Sequence, residues 1–113
     1  MDLKHFTLDL IGADKTLLDD EDYIRSILKK AIGKANASLI QLRSHKFDPQ
    51  GLTAFAILAE SHVSIHTWPE INFAAVDFFT CGEHTKPEEA CEYISSALKA
   101  KSHSIFFVER FSP

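Results

Sequence analysis

The run Glu60-Ser61-His62-Val63-Ser64-Ile65-His66-Thr67-Trp68-Pro69-Glu70 puts two serines, two histidines and two acids into one short segment between apolar stretches. A segment that only filled a core would not carry so many groups that each need a hydrogen-bond partner once buried. Serine with histidine raises a hydrolase first. The nucleophile-elbow pattern, however, needs glycine two residues either side of the serine, where Ser61 has Ala59 and Val63. His62 and His66 stand four apart and would share a helix face, but Val63, Ile65 and Thr67 favour a strand, and neither HExxH nor CxxC spacing points to zinc. No metal is therefore expected. Taken singly, each of these side chains is accounted for as a strand residue bonded to nearby backbone.

The elements that must position this run follow from periodicity. Phe6, Leu8 and Leu10 alternate with His5, Thr7 and Asp9, which predicts a strand over Lys4 to Ile11 with one wet face, ended by Gly12. Acids at Asp19 to Asp22, apolar residues at helical spacing from Tyr23 to Ala31, and Lys29, Lys30 and Lys34 behind them predict a helix over Asp20 to Ala35 that suits the helix dipole. Ala37 to Phe47 reads as a strand, Asp48-Pro49-Gln50-Gly51 as a hairpin turn, and Leu52 to Ala59 as a nearly all-apolar strand expected to be buried on both faces. After Trp68-Pro69, Asn72 to Cys81 forms another strand closed by Gly82. Thr85-Lys86-Pro87-Glu88 resembles a capping box before a second amphipathic helix carrying Ala90, Ile94, Ala97 and Leu98, and Ser104 to Phe111 is the last strand. This order predicts an α+β fold, a two-layer α/β sandwich of a mainly antiparallel sheet with both helices on one face. Its uncovered face, rich in Phe and Val, asks for a second cover, which another copy's sheet would provide.

Parity adds a constraint. With period 2, Thr53, Phe55, Ile57, Ala59 and Ser61 lie on one face and His62, Ser64, His66 and Trp68 on the other, so Ser61 and His66 point apart on a straight strand. For them to cooperate, the backbone must bend near Glu60 and Ser61.

The 113 residues, 45% hydrophobic, fit a single domain, and a formal net charge of -4 gives no footprint for nucleic acid or anionic lipid. No leader pattern opens the sequence and no apolar run approaches bilayer length, so the expectation is a soluble cytoplasmic protein without membrane contact. Cys81 and Cys91 fall far short of a disulfide framework and are expected to remain thiols. Cys81 ends a strand beside Gly82, at the lip of a pocket, whereas Cys91 falls in a helix as a core residue.

The stretch Ala59-Glu60-Ser61-His62-Val63-Ser64-Ile65-His66-Thr67-Trp68-Pro69-Glu70, the following Ala74-Ala75-Val76-Asp77-Phe78-Phe79-Thr80-Cys81-Gly82 and the preceding His45-Lys46-Phe47-Asp48-Pro49-Gln50-Gly51 closely resemble the prokaryotic S-adenosylmethionine decarboxylase proenzymes. The resemblance covers nearly the whole chain and is far more specific than a four-residue pattern. It implies that Ser61 attacks the carbonyl of Glu60, that β-elimination cleaves the chain into a β chain of residues 1–60 and an α chain of residues 61–113, and that Ser61 becomes a pyruvoyl group. No pyridoxal phosphate and no metal would be needed. The pyruvoyl carbonyl would form a Schiff base with the substrate amine and act as the electron sink that decarboxylation requires.

The same resemblance assigns His66 as proton acceptor in the elimination, with His62 as its neighbour, and Cys81 as proton donor to the decarboxylated carbon. Glu70 matches the acid that bonds the ribose hydroxyls. Phe47 matches an aromatic that stacks on adenine and the sulfonium region. Thr53 stands where the family usually has a serine that supports processing; the hydroxyl survives, but the added methyl restricts its rotamer. The implied protein is a homodimer packed sheet to sheet as a four-layer αββα sandwich, decarboxylating S-adenosylmethionine for spermidine synthesis. Two alternatives stay open: the same pyruvoyl machinery acting on arginine or ornithine, and an inactive ligand-binding or interaction domain of this fold.

Overall fold

In the computed structural model, which describes residues 3–111, the alternation of the N-terminal segment becomes β1 (Leu3–Ile11), with Phe6, Leu8 and Leu10 buried and His5, Thr7 and Asp9 half-exposed. The chain continues through α1 (Lys15–Leu18), α2 (Glu21–Lys34), β2 (Leu39–Lys46), β3 (Leu52–Leu58), β4 (Ser61–Trp68), a 3-10 turn (Pro69–Ile71), β5 (Phe73–Cys81), α3 (Pro87–Ala97) and β6 (Ser102–Val108). The strands form one six-stranded sheet in the order β2-β3-β4-β5-β1-β6, and every neighbouring pair is antiparallel. The expected α+β architecture is the one observed, with a short extra helix, α1, added to the two anticipated ones.

Asp20 caps α2 by accepting from the Tyr23 amide at 3.0 Å, Glu21 and Asp22 occupy its first turn, and Lys34 its last. Its apolar stripe, Ile24, Ile27, Leu28, Ala31 and Ile32, packs with Ala90, Cys91 and Ile94 of α3 against one face of the sheet. Burying a side chain of this size is worth about 1.5–3 kcal/mol. The Tyr23 hydroxyl ties the two helices by donating to the Ala97 carbonyl at 2.6 Å.

Three expectations are corrected. β3 is buried on one face only: Leu52, Ala54, Ala56 and Leu58 face the helices, while Phe55 and Ile57 are each 40% exposed. A nearly all-apolar strand looked two-sided because its second face carries apolar residues with no cover in the single chain. The capping box does not form. The N-cap of α3 is Lys86 with no side-chain cap, Pro87 takes the first turn, and the Thr85 hydroxyl lies 3.0 Å from Thr80 Oγ1 and 2.9 Å from the Gly82 carbonyl, closing the loop after β5 instead. The last strand runs Ser102–Val108 and stops short of Phe111.

Thr67 is the buried polar pin between layers. Its hydroxyl donates to the Leu18 carbonyl at 2.8 Å and accepts from the Leu52 amide at 3.0 Å, joining α1, β3 and β4. Thr67→Val keeps the shape but strands both backbone groups, so it is expected to lower unfolding free energy by about 2 kcal/mol, read as a lower denaturant midpoint at unchanged slope.

Candidate active site

The sequence-predicted residues gather at the two ends of β4: Thr53, His66 and Cys81 stand on the open sheet face, whereas Ser61, paired to Leu58, stands on the helix-covered face. β3 and β4 are joined through Ala59 and Glu60, with Leu58 paired to Ser61, and Glu60 sits in the left-handed region at φ 61°. A turn is therefore present at the expected bend, but it precedes Ser61 and leaves Ser61 and His66 on opposite faces of β4. It also reverses parity: the register pairs Thr53 with His66, Phe55 with Ser64 and Ile57 with His62, so Thr53 shares its face with His66 and not with Ser61. Ser61 opens β4 opposite Leu58, half-buried. Cys81, also half-buried, ends β5 at the same end of the sheet, two residues beyond Phe79, the partner of His62.

At the opposite end of β4 a groove of about 370 Å³ is lined by Phe47, Gln50, Gly51, Leu52, Thr53, His66, Thr67, Trp68 and Glu70. Thr53 Oγ1 lies 2.9 Å from His66 Nδ1, and the His66 and Trp68 rings are 6.2 Å apart. The groove depends on the β2–β3 turn. Phe47 donates its amide to the Gly51 carbonyl at 2.8 Å, and Gly51 has φ 93° with the space for a Cβ limited by the Thr67 carbonyl at 3.0 Å, so glycine alone fits without strain. Asp19 pins that turn, accepting from the Gly51 amide at 2.8 Å and pairing with Lys46 at 2.9 Å. The Lys46 hydrogen bond, followed by that of Gly51, holds the Asp19 carboxyl below its ordinary value. A depressed folded-state value means that this stabilisation is present at neutral pH and fades as acid titrates the carboxylate. A depression of about 610 Å³ lined by Asp19, Asp20, Glu21 and Asp22 adjoins at Gln50 but holds none of the predicted site residues.

Ser61 and His66 lie five residues apart on one strand, about 16 Å at the usual strand rise. The groove group of Thr53, His66, Glu70 and Phe47 and the turn group of Glu60, Ser61 and Cys81 are thus separate within one chain. The sequence profile of the S-adenosylmethionine decarboxylase family matches residues 4–111. The chain belongs to this family. An S-adenosylmethionine decarboxylase proenzyme of Synechococcus sp. (strain WH7803) is 50% identical over 97% of this chain and 86% of its own length. One from Methanococcus aeolicus is 48% identical over 96% and 93%. The crystal structure of the adenosylmethionine decarboxylase from Aquifex aeolicus VF5 superposes with a TM-score of 0.86, at 36% identity, covering 98% of this chain and 96% of that one.

Within this decarboxylase family member Cys81 ends β5, as expected, and Cys91 lies in a helix in the core. Cys91 is fully buried, and burial followed by the charges of Glu92 and Glu88 pushes its thiol up to about 12. At pH 8 roughly one molecule in 10⁴ would carry a Cys91 thiolate, so alkylation of the native protein is expected to leave Cys91 unmodified, with labelling there appearing only on unfolding; peptide mapping reads this directly. Among the described residues no group of three or more His, Cys, Asp and Glu side chains is arranged to hold a metal ion, and no helix is long and apolar enough to cross a membrane.

Sequence reasoning missed Trp68 as a wall of the groove, although its alternation with His66 was the available signal. It also missed His5, Asp77 and Arg110, which meet on the open face beside His62. They come from three distant segments, and no local pattern joins them.

Proposed function

We propose that the chain is a proenzyme that cleaves itself between Glu60 and Ser61 and then decarboxylates S-adenosylmethionine, with a pyruvoyl group made from Ser61. The observation that carries the decarboxylase reading is 50% identity across nearly the whole chain to a protein of that activity, which favours it over arginine or ornithine as substrate and over an inactive domain. Self-cleavage is supported by Glu60, a non-glycine residue held left-handed at a cost of about 1 kcal/mol, because strain lies beside the bond to be broken. The fit of the group is supported too: with the peptide link severed, the ladder from Leu58–Ser61 to Leu52–Thr67 still holds β4 in the sheet.

The pyruvoyl group supplies the electron sink that no natural side chain provides. Around it, Cys81 donates a proton to the decarboxylated carbon and His66 removes one during processing, with Thr53 supporting His66. Glu70 accepts from the ribose hydroxyls, and Phe47 with Trp68 offers ring faces to adenine and the sulfonium. The product is the aminopropyl donor for spermidine synthesis.

The reading extends to a homodimer. The open face exposes Phe55, Ile57, Trp68, Phe106 and Val108, and a second copy packed sheet to sheet would bury them in the αββα arrangement. A two-fold axis between the sheets and perpendicular to the strands sets the Ser61 end of one chain over the His66 end of its partner. Measured CO2 release is expected from S-adenosylmethionine and not from arginine or ornithine; release from arginine alone would sink the adenosyl reading.

A further inference from the structure

Arg110, just past β6, places Nη1 3.0 Å from His5 Nδ1 and its guanidinium over the Phe79 ring at 5.3 Å. A guanidinium only donates, so His5 Nδ1 accepts and the ring proton sits on Nε2, where it is donated to Asp77 Oδ1. The other carboxylate oxygen, Oδ2, lies 3.6 Å from His62 Nε2, a charge contact longer than a hydrogen bond. The His62 ring is held between Phe55, stacked at 5.7 Å with 18° between planes, and Phe79 at 5.7 Å. The cluster stands on the open face of the sheet, among the exposed apolar side chains of Phe55, Ile57, Phe106 and Val108.

With both imidazoles uncharged the cluster is neutral, because the guanidinium of Arg110 cancels the carboxylate of Asp77. His5 has no vacant nitrogen for a further proton: Arg110 occupies Nδ1, and Nε2 carries its hydrogen to Asp77. A proton taken by His62 leaves the cluster with one uncompensated positive charge.

We propose that protonation of His62 separates the two copies of the sheet-to-sheet dimer; this rests on the homodimer reading above. In the separate chain the side chains of His62 and Asp77 are 34% and 40% exposed, and water screens an added charge. A second copy's sheet removes that water, and two-fold symmetry gives the covered face the same excess charge from the partner's cluster. Acid therefore favours separate chains. Arg43 and His45 of β2, His66 of β4, Cys81 of β5 and Asp9 of β1 share the open face. His45 stands exposed on an edge strand and His66 opens on the groove, whereas His62 lies between two phenyl rings inside the apolar patch. Because Ser61 and His66 of one chain are too far apart to share a site, separation also takes the two-chain site apart.

The test is sedimentation velocity of the purified protein over a dilution series at pH 7.5 and pH 5.5, with circular dichroism identifying folded samples. Acidification is expected to raise the dimer dissociation constant of the wild type about 30-fold, and that of His62→Gln, whose amide takes no proton, by less than about threefold. In Arg110→Gln the sign reverses: an uncompensated carboxylate is present at pH 7.5 and acid cancels it, so the pair tightens as pH falls. Loss of packing alone produces no such reversal. Should His62→Gln fail to fold, the change at exposed Arg110 decides the matter. A wild type that pairs as tightly at pH 5.5 as at pH 7.5 overturns the switch alone. So does a folded His62→Gln that keeps the full acid response, or an Arg110→Gln that weakens in acid as the wild type does. A wild-type chain that is monomeric at every concentration at pH 7.5 overturns the homodimer reading and the switch together.

Discussion

Replacing Ser61 by alanine is expected to give a folded chain of full length that stays uncleaved on long incubation and releases no CO2 from S-adenosylmethionine above background. The fold should survive because Ser61 is the half-buried first residue of β4, paired to Leu58 through its backbone, and the change removes one oxygen without opening a cavity. Cleavage should stop because the attacking atom is gone. Activity should fall by about 10⁶-fold or more, since enzymic accelerations of that order and above depend on an electron sink that is never made in this variant. Intact mass and CO2 release read both effects, and either cleavage or turnover in Ser61→Ala would overturn the mechanism.

The second large effect concerns which chains make up one site. Ser61 and His66 stand about 16 Å apart along β4, and Thr53 sits with His66 rather than with Ser61. Chains carrying Ser61→Ala or His66→Ala alone are expected to lack activity. Produced together in equal amount, they should regain about a quarter of wild-type activity, because in the proposed homodimer half of the pairs would be mixed and each mixed pair would hold one whole site of its two. The His66→Ala chain should also become cleaved only in the mixture, which mass analysis distinguishes because the Ser61→Ala chain cannot be cut. If a site lies within one chain, the mixture stays as inactive as its components.

Most of the fold was legible because periodicity reports burial directly. The alternation in β1 and the acid-first, lysine-last order of α2 both appear where residue spacing put them. The β3 error shows the limit of that signal: Phe55 and Ile57 are apolar, but hydrophobicity alone does not say whether the cover belongs to the same chain. Thr85 shows another, since its hydroxyl had two uses within reach and the loop after Cys81 took it. For the candidate site, parity asked for a bend at Glu60-Ser61 to bring Ser61 and His66 together; the turn is there but precedes Ser61, so the two stay apart, and Thr53 falls beside His66 instead, because a tight turn resets the face of every residue beyond it. The Arg110, His5 and Asp77 contacts were invisible for a different reason: strand order β5-β1-β6 is a property of the folded sheet, and no spacing in the chain encodes it.

That strand order has one more consequence. A cut at the β3–β4 tip leaves β1, β2 and β3 on one fragment and β4, β5 and β6 on the other, yet β1 lies between β5 and β6. The two products are interleaved, each supplying a strand flanked by strands of the other or adjoining them, and neither can leave without dismantling the sheet. The proposed cleavage would convert a unimolecular folding problem into a bimolecular one: once unfolded, a cut protomer would have to find its other half, and its apparent stability would depend on concentration in a way that the intact chain's monomer fold does not. The proenzyme is the form in which this sheet is easy to assemble.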